Sequence, residues 1–237
     1  MKRPPNIRFT ANDWQRIEHD WNAWWAGELD RPLVVIETCD PVEADRSQLS
    51  KFGVDGPADA IIDNWQKILE ATHWLGDYNE LEAITRTAGR GNACWGPCWS
   101  PGRGYMLQCD LSYMISPLMF ERFVRRDLVS CCDALDYAFY HLDGRGEIPH
   151  LDHLLSIERL RGIQWQPGAG QPMAEGWLDL LKRIRDGGKL CQIYVTREGA
   201  LTVQKTLGGR GFLMHIVNDP MDPSEARDFL ETLQSQR

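Results

Sequence analysis

Tyr137-Ala138-Phe139-Tyr140-His141-Leu142-Asp143-Gly144 is the stretch from which the fold is read. Aromatic and apolar residues run up to a glycine, which reads as a buried strand over Tyr137–Leu142. The period of two puts His141 and Asp143 on one face at the strand's end. Downstream the rhythm repeats. A helix near Pro149–Ile157 precedes a strand at Gly162–Gln166. A helix around Trp177–Ile184 stops at Gly187-Gly188 before a strand at Leu190–Val195. A helix around Ala200–Leu207 leads to a strand at Phe212–Val217, and Asp222-Pro223-Ser224-Glu225 caps a last helix through Phe229, Leu230 and Leu233. Strands alternating with helices over short links predict a parallel sheet covered by helices.

Upstream, Gly104–Cys109 reads as a strand. Ser116 then caps a helix with Pro117 at its first position and an apolar stripe of Phe120, Phe123, Val124, Leu128, Cys131 and Leu135. Thr10 and Asp13 have capping-box spacing ahead of Trp14, Ile17, Trp21 and Trp24, a helix that Gly27 ends. Leu33–Glu37 is a short buried-strand candidate. Cys39–Asp59 reads as a polar surface connection, and a second helix with Ile61, Ile62, Trp65, Ile68 and Leu69 runs to near Gly76.

The predicted fold class is α/β of the (β/α)8 TIM-barrel type, in one domain over 1–237. It divides into an N-terminal helix, strand and helix (1–76), a shortened connection (77–103) and regular βα units (104–237). About six strands are recognisable where a closed barrel has eight, so the barrel is read as shortened. Sheet edges and interior left open in this way predict a homodimer, with the gap between Gly76 and Arg90 at or beside its interface.

Composition narrows the function classes. The formal net charge is −8, with no long basic run, which argues against nucleic acid as a partner. The start, Met1-Lys2-Arg3, lacks the apolar core of a signal peptide, and Leu33–Ile36 is too short to cross a bilayer. The seven cysteines are scattered and read as reduced thiols, so a cytoplasmic location is expected. Cys94-x-x-x-Cys98 lacks a second ligand pair at structural-zinc spacing. Ten tryptophans suggest a broad aromatic surface in a pocket or interface.

The chemistry of such a fold sits at the C-terminal strand ends. An imidazole and a carboxylate two residues apart, His141 and Asp143, can share a metal, or the acid can orient the ring as a general base. The alternative is a core histidine satisfied by a neighbouring acid. Asp110 follows the strand Gly104–Cys109 and faces the same mouth. His215 with Asn218 and Asp219, Gln164 with Trp165 and Gln166, and Tyr194 with Thr196 close the other strands. Glycine-flanked Arg103 and Arg145 adjoin the candidate catalytic strand ends and can bind carboxylates bidentately.

Leu107-Gln108-Cys109-Asp110-Leu111-Ser112-Tyr113-Met114-Ile115-Ser116-Pro117, Tyr140-His141-Leu142-Asp143-Gly144 and Gly162-Ile163-Gln164-Trp165-Gln166-Pro167-Gly168 occur in that order. With Trp24-Trp25-Ala26-Gly27-Glu28-Leu29-Asp30-Arg31-Pro32 they resemble the uroporphyrinogen decarboxylase superfamily, in a trimethylamine corrinoid protein-like branch. The resemblance covers 12–76 and 89–235. It implies a barrel enzyme that transfers methyl groups to or from a corrinoid or binds a tetrapyrrole; a decarboxylase-like lyase and a non-catalytic binding or assembly module are the alternatives. Where the family's methyltransferases carry a His-x-Cys strand end and a later cysteine on zinc, this chain has His141-x-Asp143 and a later position near Asp219. His141, Asp143 and Asp219 would then hold a divalent metal or exchange a proton, and Asp110 would orient substrate. Arg103 and Arg145 would grip carboxylates, Tyr105, Trp165 and Tyr194 would wall the cleft, and Gln164 and His215 would join them. The implied partner is a small molecule or a corrinoid protein, with no membrane.

Overall fold

The computed structural model describes residues 10–41, 57–77, 91–96 and 98–235. In chain order these form α1 (Ala11–Trp25), β1 (Leu33–Cys39), α2 (Ala58–Ala71), β2 (Thr72–Gly76), β3 (Asn92–Ala93), β4 (Trp99–Ser100) and β5 (Gly104–Leu107). There follow α3 (Pro117–Phe123), α4 (Arg125–Ala134), β6 (Tyr137–Asp143), α5 (Leu151–Leu155), β7 (Leu160–Gln166) and α6 (Leu178–Asp186). The chain closes with β8 (Leu190–Val195), α7 (Arg197–Leu207), β9 (Phe212–Ile216) and α8 (Pro223–Ser235).

Seven strands make one sheet in the order β2-β1-β9-β8-β7-β6-β5, and β3 and β4 form a separate small hairpin. All neighbours pair in parallel except β2, which runs antiparallel to β1. The sheet is not a closed barrel: β2 and β5 are its two edges among the described residues. The six expected strands are present as β1 and β5–β9. The second helix, expected to run to near Gly76, ends at Ala71, and Thr72 turns the chain straight into β2. The helix stripe from Phe120 to Leu135 is divided at Val124 into α3 and α4. The connection after Asp77, expected at a dimer interface, lies mostly outside the described residues, as does most of Cys39–Asp59. No helix among the described residues is long and apolar enough to cross a membrane.

Alternation along the strands sorts side chains onto two faces. Ala138, Tyr140, Leu142, Ile163, Trp165, Ile193, Val195 and Met214 face a core shared with the helices that follow each strand. The other face is divided along its length. Near the strand starts, Leu33, Val35, Met106, Phe139 and Leu213 are covered by Trp14, Ile17, Trp21, Trp24 and Trp25 of α1. The capping box at Thr10 and Asp13 starts this helix as the sequence predicts. Trp24 stacks on Phe139 at 6.0 Å, and Trp25 meets Tyr137 edge-on at 4.9 Å.

Polar ties fix α1 to the sheet edge. Trp21 Nε1 donates to the carbonyl of Asp77 (2.9 Å), and Trp25 Nε1 to that of Trp99 (2.8 Å). Buried Asp77 receives both guanidinium nitrogens of Arg31, at 2.7 and 2.9 Å, and the Val34 amide at 2.9 Å. A bidentate pair with a third donor satisfies the carboxylate where water does not reach. The tryptophan helix thus plugs one end of this face and leaves the C-terminal half of the strands uncovered.

Candidate functional site

That uncovered half carries polar side chains in a region otherwise built from apolar ones. Parallel register sets His141 beside Gln164 and Gln164 beside Gln192, and it sets Tyr194 beside His215. His141 Nδ1 donates to Gln164 Oε1. Gln164 Nε2 donates to Gln192 Oε1 at 2.9 Å and reaches the Tyr194 hydroxyl at 3.5 Å. A carboxamide oxygen only accepts, so the bond fixes the Nδ1–H form of the ring and leaves Nε2 as the free nitrogen. Nε2 lies 4.0 Å from Asp143 Oδ2, beyond hydrogen-bond reach.

Trp95, from the loop between β3 and β4, closes one side. Its ring meets His141 edge-on at 5.0 Å, and its Nε1 donates to the Met106 carbonyl at 3.0 Å. Tyr194 and His215 meet edge-on at 5.4 Å on the other side. Between them lies a cavity of 580 Å³, roofed by the loop from Pro167 to Met173 and bounded by Asp143, Gln166 and Asn218. That volume suits a small-molecule site, and its position at the strand C-termini suits the fold. Asn218 has φ 56°, the left-handed region that asparagine tolerates better than most residues.

Of the residues singled out from sequence, His141, Asp143, Gln164 and Tyr194 line this cavity, and His215 packs against Tyr194. Others do not join them. Trp165 faces the opposite side of β7, fully buried against Trp177 at 5.1 Å, because it is adjacent in sequence to Gln164 and must alternate. Arg103 precedes β5 and so sits at the N-terminal edge, where it pairs with Asp136 at 3.0 and 3.1 Å. Tyr105 lies on the face that Ala138 occupies on β6, half exposed and away from the cavity. Asp110, in the 3-10 turn after β5, and Arg145, in the turn after β6, are exposed.

The metal set does not assemble either. Asp219 accepts from the Arg197 backbone amide and Nε, both at 2.9 Å, and these bonds hold its carboxyl below the usual carboxylate range. Among the described residues no three His, Cys, Asp or Glu side chains converge. His141 and Asp143 alone offer two donors, fewer than the three protein ligands of catalytic zinc sites. The expected ligand set therefore does not fit a divalent metal.

Two groups of this region were not anticipated: Trp95, which lines the cavity, and Gln192, which bonds Gln164 but does not line it. Gln192 is fully buried on β8, and its Nε2 has no hydrogen-bond partner. Its signal was a carboxamide between the apolar residues Cys191 and Ile193, two positions before Tyr194. Trp95 had no pattern to reveal it. A further titratable group lies behind β6. Burial pushes the Glu147 carboxyl up to about 7, and Tyr140 donates to it at 3.2 Å. His150 nearby donates to the Ser112 carbonyl at 2.8 Å and stacks on Phe120 at 4.5 Å. Both belong to the helix side of the sheet. No protein-family model, curated protein or solved structure matches the chain.

Proposed function

We propose that this chain is an enzyme that moves a proton on a small polar molecule held at the C-terminal ends of β6–β9, with His141 Nε2 as the acid–base group. The single observation behind this reading is the bond from His141 Nδ1 to Gln164, which orients the ring and leaves Nε2 for substrate. A fixed tautomer in a cavity is what a general base requires, and such a group contributes about 10²- to 10⁴-fold to rate. Asp143, on the same face and 4.0 Å away, accepts a donor of the substrate. The sheet order, with β1 beside β9, supports reading the fold as a (β/α) barrel that lacks part of its circuit.

Proton transfer is the chemistry of the lyase branch of the resemblance, without its arginine clamp. Methyl transfer is the second reading, favoured by the same free Nε2. It would take the proton from a thiol or amine acceptor as a methyl group arrives from a corrinoid donor, and a 580 Å³ cavity is sized for the acceptor. Neither reading uses a metal held by this chain's own side chains.

The test is hydrogen exchange in heavy water. Pools of small polar metabolites are incubated with the wild type and with His141→Ala and read by mass spectrometry. At least one compound gains deuterium with the wild type, and the rate falls by about 10²- to 10⁴-fold in the variant. Equal incorporation by the two proteins overturns the reading.

A further inference from the structure

The chain between β5 and β6 has one anchored side and one bare side. Inward, Ser112 and Phe120 are fully buried, and His150 binds both. Its Nε2 donates to the Ser112 carbonyl at 2.8 Å, and its ring stacks on Phe120 at 4.5 Å. Ser116 Oγ accepts from the Met119 amide and caps α3. The Tyr113 ring lies against the turn after β6, where a Cβ on Gly146 would meet it at 2.7 Å. Outward, Leu111, Tyr113, Met114, Leu118, Met119 and Phe123 are between 44% and 79% exposed.

Together these six residues present on the order of 700 Å², more than the roughly 300–600 Å² of a typical monomer's largest apolar patch and close to the roughly 800 Å² that each partner buries in a stable complex. Because the inner side is already fixed, docking on the outer side has little order left to impose. The neighbouring sheet edge is not where a partner strand adds. Asn92 Nδ2 and Trp95 Nε1 already donate to the Gly104 and Met106 carbonyls of β5.

Charge decides the occupant. From Asp110 to Asp127 three acids, Asp110, Glu121 and Asp127, balance three arginines, Arg122, Arg125 and Arg126, in a chain whose net charge is −8. A locally neutral face meets its own copy without the repulsion that the rest of the surface would supply. Binding to an anionic lipid surface takes a cluster of about four to eight lysines and arginines, which this face lacks. Asp110 stands at the start of the segment and Arg122 and Arg126 near its end, so a two-fold axis through the middle sets unlike charges opposite one another. We propose that this face binds a second copy of the chain in a two-fold dimer, with Met114 and Leu118 at its centre. The proposal does not depend on how the cavity is read.

The test is sedimentation equilibrium of the full chain over a dilution series. The wild type is expected to associate to a dimer. Leu118→Glu replaces the most exposed of the six residues without entering the core, and it raises the dissociation constant at least about tenfold with an unchanged circular dichroism spectrum. Ile62→Glu, an exposed apolar position on α2, is the control and leaves association as it was. Should Leu118→Glu not fold, methyl signals of ¹³C-labelled methionine in the wild type carry the same information. Met114 and Met119 move on dilution, and fully buried Met106 and Met214 do not. A wild type that stays monomeric at every concentration overturns the proposal. So does a dimer that Leu118→Glu leaves intact, one that Ile62→Glu weakens equally, or one in which the Met114 and Met119 signals stay fixed. A monomer that sediments with phosphatidylcholine–phosphatidylserine vesicles, and loses them in Leu118→Glu, overturns it in favour of a lipid surface.

Discussion

His141 and Gln164 are direct neighbours across β6 and β7, and the imidazole Nδ1 gives its hydrogen to the carboxamide Oε1. The pair fixes the orientation of the imidazole, since the glutamine accepts on one side and donates to Gln192 on the other. Removing the glutamine therefore differs from removing the histidine.

Gln164→Leu leaves the imidazole in place without its guide. Turnover in the heavy-water assay is expected to fall by about tenfold, the equivalent of one lost hydrogen bond, well short of the loss in His141→Ala. A merely structural glutamine would not change the ring's protonation pattern. Nitrogen chemical shifts of His141 should show the Nδ1–H form dominant in the wild type and a mixture in Gln164→Leu.

Glu147 makes stability depend on pH. Burial is the main cause that lifts its carboxyl from the usual 4.5 to about 7. The folded protein therefore keeps a proton that the unfolded chain releases, and this contribution is complete below about 4.5 and is lost as pH rises through about 7. The span corresponds to on the order of 3 kcal/mol. Glu147→Gln lacks the titration, so its stability relative to the wild type should climb between pH 4.5 and pH 8 in urea unfolding and level off above. Burial pushes His150 the other way, and its cost on acidification is common to both proteins and cancels in the difference.

The Asp77 carboxylate holds Arg31 and the Val34 amide together under α1. Asp77→Ala removes the bidentate partner and the Val34 acceptor together, leaving half-buried Arg31 with Asp20 at 2.7 Å, and is expected to cost about 1–3 kcal/mol in denaturant unfolding. The double change Asp77→Leu with Arg31→Met also strips Asp20 of that guanidinium and should recover only part of the loss.

Gly162 sits beside Phe139 in the register, and a Cβ at this position would enter the Phe139 ring and press on the Leu190 carbonyl. Gly162→Ala should destabilise by about 1–3 kcal/mol, measured by thermal unfolding, through displacement of the ring that Trp24 stacks on.

Much of this architecture is local and therefore readable from sequence. The Thr10–Asp13 cap and the tryptophan spacing specify α1, and the recurring strand–helix units from Tyr137 specify the parallel order. β2 was hidden because Ile68, Thr72 and Leu75 continue the helical spacing of α2, with no turn residue to mark the change. The site was legible where alternation was applied strictly, as for His141 and Asp143. It failed at Trp165, which shares a strand end with Gln164 but not a face. Arg103 was assigned to the wrong end of its strand: it precedes Gly104, where the strand starts both in the sequence reading and in the structure, so it lies at the N-terminal edge beside Asp136. Asp219 sits near the cavity, but its choice of Arg197 depends on a contact across two elements that no spacing reveals.

The pairing of β1 with β9, Leu33 against Leu213, has a consequence for biosynthesis. A ribosome adding about 5–20 residues per second needs on the order of ten seconds or more to pass from one partner to the other. Throughout that interval Leu33 and Val35 lack the neighbour strand they will pair with, and the tryptophans of α1 lack Phe139 and Leu213 for part or all of it. The nascent chain thus carries the apolar tryptophan face of α1 without its full cover until the final strand has been made.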